Sequence, residues 1–308
     1  MSDNWEFALQ NCSGELLYPI ADKILLHKDT LKDIMEGAEK YNRDIYSFCH
    51  AELDDNYTKL NYPRWTVFST QKILSAAFSG DRTLYSTYGL RGYSMVISKK
   101  MFNHMINKYG KVLLPLAPDF TLAFMATLHT DSFCYCTNKY FRYNRNCSSN
   151  GFSAGYGGAL ALEYLYAYNY DKNDAVSFVP INVFTIWNSV LNDFIRVCKH
   201  CNISYEIDKI DNVNYFKRLY SELVHIHTTF HISMDDSFKK MFDYINHNLT
   251  GNERIIMYDY IMNFKLCTVN TVNVQSLVHS LGVLLKNKMK KYFNIIVKIL
   301  SGIGQYGR

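Results

Sequence analysis

The chain lacks an uninterrupted apolar run of the roughly 20 residues that a membrane-spanning helix needs. It also lacks a charged-then-apolar leader: the opening Met-Ser-Asp-Asn-Trp-Glu is polar and acidic, which predicts no signal peptide. Its eight cysteines are scattered over 308 residues, which excludes a dense disulfide scaffold. A reducing cytoplasmic setting is the expectation, and a sequon such as Asn146-Cys147-Ser148 would then be idle. There is no internal repeat and no low-complexity tract. No RNA- or DNA-binding motif is present, and a net charge of +5 is too mild to argue for nucleic acid. That charge suits an anionic substrate or an anionic membrane surface.

What the chain has in quantity is apolar and aromatic side chains. Hydrophobic residues make up 48% of it, enough to build a core and to exclude wholesale disorder. The 25 tyrosines and 19 phenylalanines are read as core and interface residues before any role in stacking on sugars.

Periodicity predicts an alternation of strand and helix in the first half. Residues 16–20 read as a strand, 28–41 as a helix with Leu31, Ile34, Met35 and Ala38 on one face, and 44–49 as a second strand. Residues 53–64, with Asp54, Asp55, Asn56 and Asn61, read as a loop. Ser98 is placed as the N-cap of a helix bearing Phe102, Met105, Ile106 and Tyr109, which Gly110 ends. A short extended piece, Val112 to Leu114, leads to Pro118-Asp119 and another helix, and then to a strand, FCYCTN. Residues 138–158 read as a long polar loop. From about 159 the pattern is mostly helical, with Val183, Phe184, Trp187, Val190, Leu191, Phe194 and Ile195 on one apolar face. The expected fold class is therefore α/β for residues 1–158, followed by a mainly helical region over 159–308.

Two acidic residues stand where chemistry can occur. In open α/β sheets, ligands bind beyond the carboxyl ends of the strands, and Asp22 comes just after such an end. A carboxylate there can hold a divalent cation that neutralises a diphosphate, or it can merely solvate a turn. Asp119, between Pro118 and FTLAF, is placed to cap a helix N-terminus or to face a cavity as a base. Arg142 and Arg145 lie in the polar loop with Ser148, Ser149 and Asn150, either solvated or in reach of a phosphate.

The stretch SDNWEFALQNCSGELLYPIADKILLHKDTLKDIMEGAEKYNRDIYSF resembles inverting glycosyltransferases of family 2, which have the GT-A fold. In that family a Gly-containing turn leads to an apolar strand ending in an acidic Asp-x-Asp or Asp-Asp-Asp cluster, with a leucine-rich segment after it. Asn4, Ala8, Gly14 and Glu15 match the approach, Asp22 falls on the cluster, and Leu25, Leu26 and Leu31 match the leucine-rich segment. RGYSMVISKKMFNHMINKYGKVLLPLAPDFTLAFMATL resembles the family's acceptor-side segment, and FCYCTNKYFRYNRNCSSNGFSAG resembles its next strand and Arg/Ser-rich loop. The resemblance spans residues 1–158. It implies a partial GT-A mixed sheet, Asp119 as catalytic base, Asp22 and Lys23 at the donor diphosphate, and Arg142, Arg145 and Ser149 as phosphate or acceptor contacts. It implies transfer of a sugar from a nucleotide-diphosphate donor to a glycan or lipid-linked acceptor, with Mg²⁺ or Mn²⁺ as the candidate cofactor at Asp22.

Two features depart from the family pattern. The acidic cluster is reduced to Ala21-Asp22-Lys23, and a protonated Lys cannot ligate a metal, although it can pair with phosphate as a point charge. The strand-turn-helix unit that opens the family and holds the nucleotide base is expected before Met1 and is not in the sequence. Both make a non-catalytic remnant or binding module the alternative.

Other signals carry less. Cys198-Lys199-His200-Cys201 has half of a zinc spacing, but both cysteines extend an apolar helix stripe, and Cys134 and Cys136 belong to another segment. His225, His227 and His231 cluster in sequence, yet only His227 and His231 share a helix face. Leu277, Val278, Leu281, Leu284, Leu285, Phe293, Ile296, Val297 and Leu300 keep helical spacing beside Lys286, Lys288, Lys290, Lys291 and Lys298. That pattern predicts either a docked helix with solvated lysines or peripheral contact with a membrane inner face.

Overall fold

The computed structural model describes residues 2–20, 24–49, 64–80, 85, 88–114, 117–143, 159–204 and 210–268. The chain divides into two compact units, residues 1–222 and 223–308.

The first unit opens with α1 (Ser2–Asn11), β1 (Leu16–Leu17), β2 (Ile24–Leu26), α2 (Thr30–Tyr41) and β3 (Ile45–Cys49). It continues with β4 (Trp65–Ser69), α3 (Thr70–Ser79), β5 (Met95–Ser98), α4 (Lys99–Tyr109) and α5 (Pro118–Leu128). Then come β6 (Ser132–Lys139), β7 (Phe141–Tyr143), α6 (Ala159–Ala167), α7 (Ile186–His200) and the start of α8 (Asn212–Phe230). The second unit carries the rest of α8 with α9 (Asp235–Asn248) and α10 (Gly251–Thr268). Phe238, Met241, Phe242 and Ile245 form the buried side of α9.

Five strands form one mixed sheet in the order β1-β5-β3-β6-β4. β5 runs antiparallel to both β1 and β3, β3 and β6 are parallel, and β4 is antiparallel to β6. β2 and β7 make a separate antiparallel pair, with Ile24 opposite Tyr143 and Leu26 opposite Phe141. The central strands are buried on both sides, so they read as near-continuous apolar runs rather than alternations. Tyr46, Phe48, Val96, Cys134 and Cys136 point to one face, where they bury Ile34 of α2, Ile24 of β2, and Tyr140 and Phe141. α5 packs against α3, α4 and α7, with the Phe124 and Phe194 rings stacked at 4.1 Å. The α/β class and the mixed sheet match the sequence expectation.

Local corrections have physical causes. The predicted strand over 16–20 pairs only at Leu16–Leu17. Pro19 has no N–H to give a ladder, and Tyr18 instead donates its hydroxyl to the Tyr93 carbonyl at 2.9 Å. The apolar stripe expected on α2 is rotated. Leu31 and Met35 are exposed, and the buried positions are Thr30, Asp33, Ile34 and Gly37. Asp33 turns inward because its carboxylate accepts the Tyr140 hydroxyl at 2.8 Å. Gly37 is required there, since a β-carbon would lie 2.6 Å from the Trp65 ring. The Ser98 cap is present, with its Oγ accepting from Met101 N at 3.1 Å, and Gly110 ends α4 at φ +74°.

No helix among the described residues is long and apolar enough to cross a membrane. The loop 53–64 and the basic tail segment 277–300 lie outside the described residues, apart from Arg64 at the loop's end.

Candidate functional site around Asp119

Of the six candidate site residues, Asp119 and Arg142 fall among the described residues; Asp22, Lys23, Arg145 and Ser149 lie outside them. Arg142 is exposed in β7, at the register position opposite Leu25. It belongs to the β2–β7 ladder, whereas Asp119 sits in the first turn of α5 amid a different group of side chains.

The start of α5 is built in layers. Ala117 is the N-cap and Pro118 occupies the first helical position, where its missing N–H costs nothing. Asp119 is therefore inside the helix and is not its N-cap, which corrects the capping expectation. Ala117 has no side chain to cap with, so the entry is braced from elsewhere. Thr121 Oγ1 accepts from Leu114 N at 3.0 Å and donates to the Pro118 carbonyl at 3.2 Å. The Ala117 N–H donates to Asp193 Oδ2, on α7, at 2.9 Å.

The Asp119 carboxylate lies over the free N–H groups of the helix start and accepts from the N–H of Phe120 and from its own. No side-chain donor among the described residues is hydrogen-bonded to it. The residue keeps some exposed surface, yet protein surrounds the carboxyl, and this burial pushes its pKa above the ordinary carboxylate value. Arg91 opposes that rise, as do the two N–H groups.

Gly92 brings a second segment against Asp119. A β-carbon at Gly92 would sit 2.9 Å from the Asp119 α-carbon, so only glycine permits this approach. The approach delivers Arg91, whose Nη1 donates to the Tyr93 hydroxyl at 2.7 Å and whose guanidinium lies 5.5 Å over the Phe120 ring. Its Nε is buried with no hydrogen-bond partner. Tyr85, buried beside Trp187 and Phe194, completes this side, and its hydroxyl is held neutral by burial. Tyr164 and Asp193 also act on the same charge system.

Arg91, Tyr85, Tyr164 and Asp193 were not singled out from the sequence. Asp193 did leave a signal: it is the one acid inside the apolar stripe of Trp187, Val190, Leu191, Phe194 and Ile195. Arg91 was visible only as the residue before Gly92, within a segment whose partner, Asp119, is remote in sequence.

The half-zinc spacing falls at the end of α7. Cys198 and Cys201 are free and buried on or just after α7, and burial pushes the Cys198 thiol up to about 12. Among the described residues no group of three His, Cys, Asp or Glu could hold a metal ion.

No protein-family model matches the sequence, and no relative emerges from comparison with characterised proteins.

Proposed function

We propose that the chain is an inverting glycosyltransferase of family 2 with a GT-A-type core, using a nucleotide-diphosphate sugar and a glycan or lipid-linked acceptor. One observation carries the reading. The residue on which the sequence resemblance places the catalytic base carries a buried carboxyl at a helix start, keeps some exposed surface of its own, and has Arg91 acting on its charge. The order of elements supports it: β5, α4, Pro118-Asp119, α5 and β6 come in the order the resemblance implies.

In this reading the acceptor hydroxyl loses its proton to Asp119 as its oxygen attacks the anomeric carbon. The bond from that carbon to the diphosphate oxygen breaks on the opposite face, so configuration inverts. Burial serves the step by raising the basicity of the carboxylate, and Arg91 opposes that rise and so favours the ionised form. The donor diphosphate, and a Mg²⁺ or Mn²⁺ ion if one is used, are assigned to the Asp22-Lys23 segment, outside the described residues.

The test is nucleotide release from UDP-glucose, UDP-galactose, UDP-N-acetylglucosamine and GDP-mannose, with and without Mn²⁺. Asp119→Asn is expected to lower turnover by about 10²–10⁴-fold, the usual worth of a general base, while donor binding persists. Donor binding without turnover in the wild type would favour a binding module. Absence of both would end the reading.

A further inference from the structure

We propose that Asp193, on α7, is a positioning residue for Asp119: by accepting the Ala117 N–H it fixes the first turn of α5 and so the direction of the Asp119 carboxylate. This rests on the reading of Asp119 as the base. The motivating geometry is independent of that reading.

Asp193 is fully buried on α7, the one acid among buried apolar residues and the two buried amides Asn188 and Asn192. A carboxyl in that setting is costly unless it does something that an apolar residue cannot. One of its oxygens, Oδ2, reaches across to another helix and takes the backbone N–H two residues before Asp119, at 2.9 Å. The other, Oδ1, is buried without a hydrogen-bond partner and lies 3.8 Å from Arg196 Nε, too far for a hydrogen bond. Arg196 is itself engaged elsewhere: its Nη2 donates to the Asp174 carbonyl at 3.0 Å, and its guanidinium lies 4.6 Å over Tyr170. The pairing with Arg196 is thus loose, while the bond to α5 is well formed.

That bond replaces a missing cap. Ala117 offers no polar side chain, and Pro118 offers no N–H, so the Ala117 N–H is the last backbone donor by which the entry can be gripped before Asp119. The stacked Phe124 and Phe194 rings hold α5 and α7 together below this point. The Asp193 bond acts at the end where the base sits.

The charged and titratable groups that act on Asp193 are Arg196 on its own helix, Asp119 on α5 and Tyr164 on α6. Burial, aided by Asp119, raises the carboxyl to about 8, so Asp193 holds a proton at neutral pH. A neutral amide is then a close substitute for it.

The experiment compares Asp193→Asn, which keeps an acceptor for Ala117 N–H, with Asp193→Leu and Asp193→Ser, which do not reach it. Hydrogen exchange of the α5 amides at pH 7 is read on every variant, together with kcat and KM for nucleotide release. The expected result is at least tenfold faster exchange in the first turn of α5 for the Leu or Ser variant. A kcat lowered at least 30-fold with donor KM within about threefold should accompany it. Asp193→Asn should restore most of both. If only one of the Leu and Ser variants folds, that one serves. Unchanged α5 exchange in a folded Leu or Ser variant overturns the proposal, as does an Asn variant as impaired as they are. A wild type that releases no nucleotide from any donor defeats the glycosyltransferase reading alone. The exchange data then still decide whether Asp193 grips α5.

Discussion

A β-carbon added at Gly92 would lie 2.9 Å from the Asp119 α-carbon and 3.2 Å from its carbonyl oxygen. Both contacts are with backbone, which cannot swing aside as a flexible side-chain tip can. Gly92→Ala must therefore push the Arg91–Tyr93 segment and the start of α5 apart. Arg91 would lose its place over Phe120, and Asp119 would lose the cation that favours its ionised form. The expected cost is about 1–3 kcal/mol of stability, typical of overpacking a tight contact. Nucleotide release should fall by more than that stability loss explains, because the displaced atoms belong to the proposed base. Urea unfolding and a rate assay on the same preparation check it. Full activity with reduced stability would separate Gly92 from the site.

At the scale of elements, the junction between β5 and α4 shows what a short sequence can specify. Ser98 accepts from Met101 N at 3.1 Å and donates to Asp44 Oδ1 at 2.5 Å, so one hydroxyl caps a helix and ties β5 to the start of β3. Ser98→Ala should cost about 1–2 kcal/mol, at the upper part of the N-cap range because Asp44 loses a partner too. A denaturant midpoint shift with unchanged slope would measure it, and a shift under about 0.3 kcal/mol would contradict the double role. This junction was legible because both signals, Ser98 and Gly110, act within a few residues of themselves. Asp119 was read from the sequence both as a candidate base and as a cap, and the capping reading fails because Pro118 takes the first helical position and moves the cap back to Ala117. The α2 face was misread because Asp33 is buried by a bond to Tyr140, 107 residues away. β4 and α3 left no reading at all. β4 is held in place by pairing with β6, and its own burial is slight. Arg91 and Asp193 join the site through tertiary approach across helices, which local spacing does not encode.

At the scale of the whole molecule, the buried carboxyl on α7 makes stability depend on pH with an unusual sign. Asp193 titrates at about 8 in the folded chain against 3.8 for an unperturbed aspartate. Between those values the folded state keeps a proton that the unfolded state releases. Unfolding therefore becomes more favourable as pH rises, and the slope vanishes above about 8. Asp119, also raised by burial, adds to the same trend. His129 opposes it at the acidic end: burial lowers its pKa from 6.5, so the unfolded state binds more protons there and stability rises with pH up to that value. The difference between Asp193→Asn and wild type cancels His129 and isolates the buried acid. Each pKa unit is worth about 1.4 kcal/mol, so the full window amounts to a few kcal/mol. For a unit of this size one kcal/mol moves Tm by about 2–4 °C. Asp193→Asn is expected to melt a few degrees above wild type already at pH 5 and further above it at pH 8, with the gap growing steadily between. Calorimetric melts at half-unit intervals from pH 5 to 9 would trace it. A gap that stays constant across that range would mean that Asp193 is ionised throughout, paired with Arg196 across 3.8 Å, and that the α5 start is gripped by a charge rather than by a neutral acid.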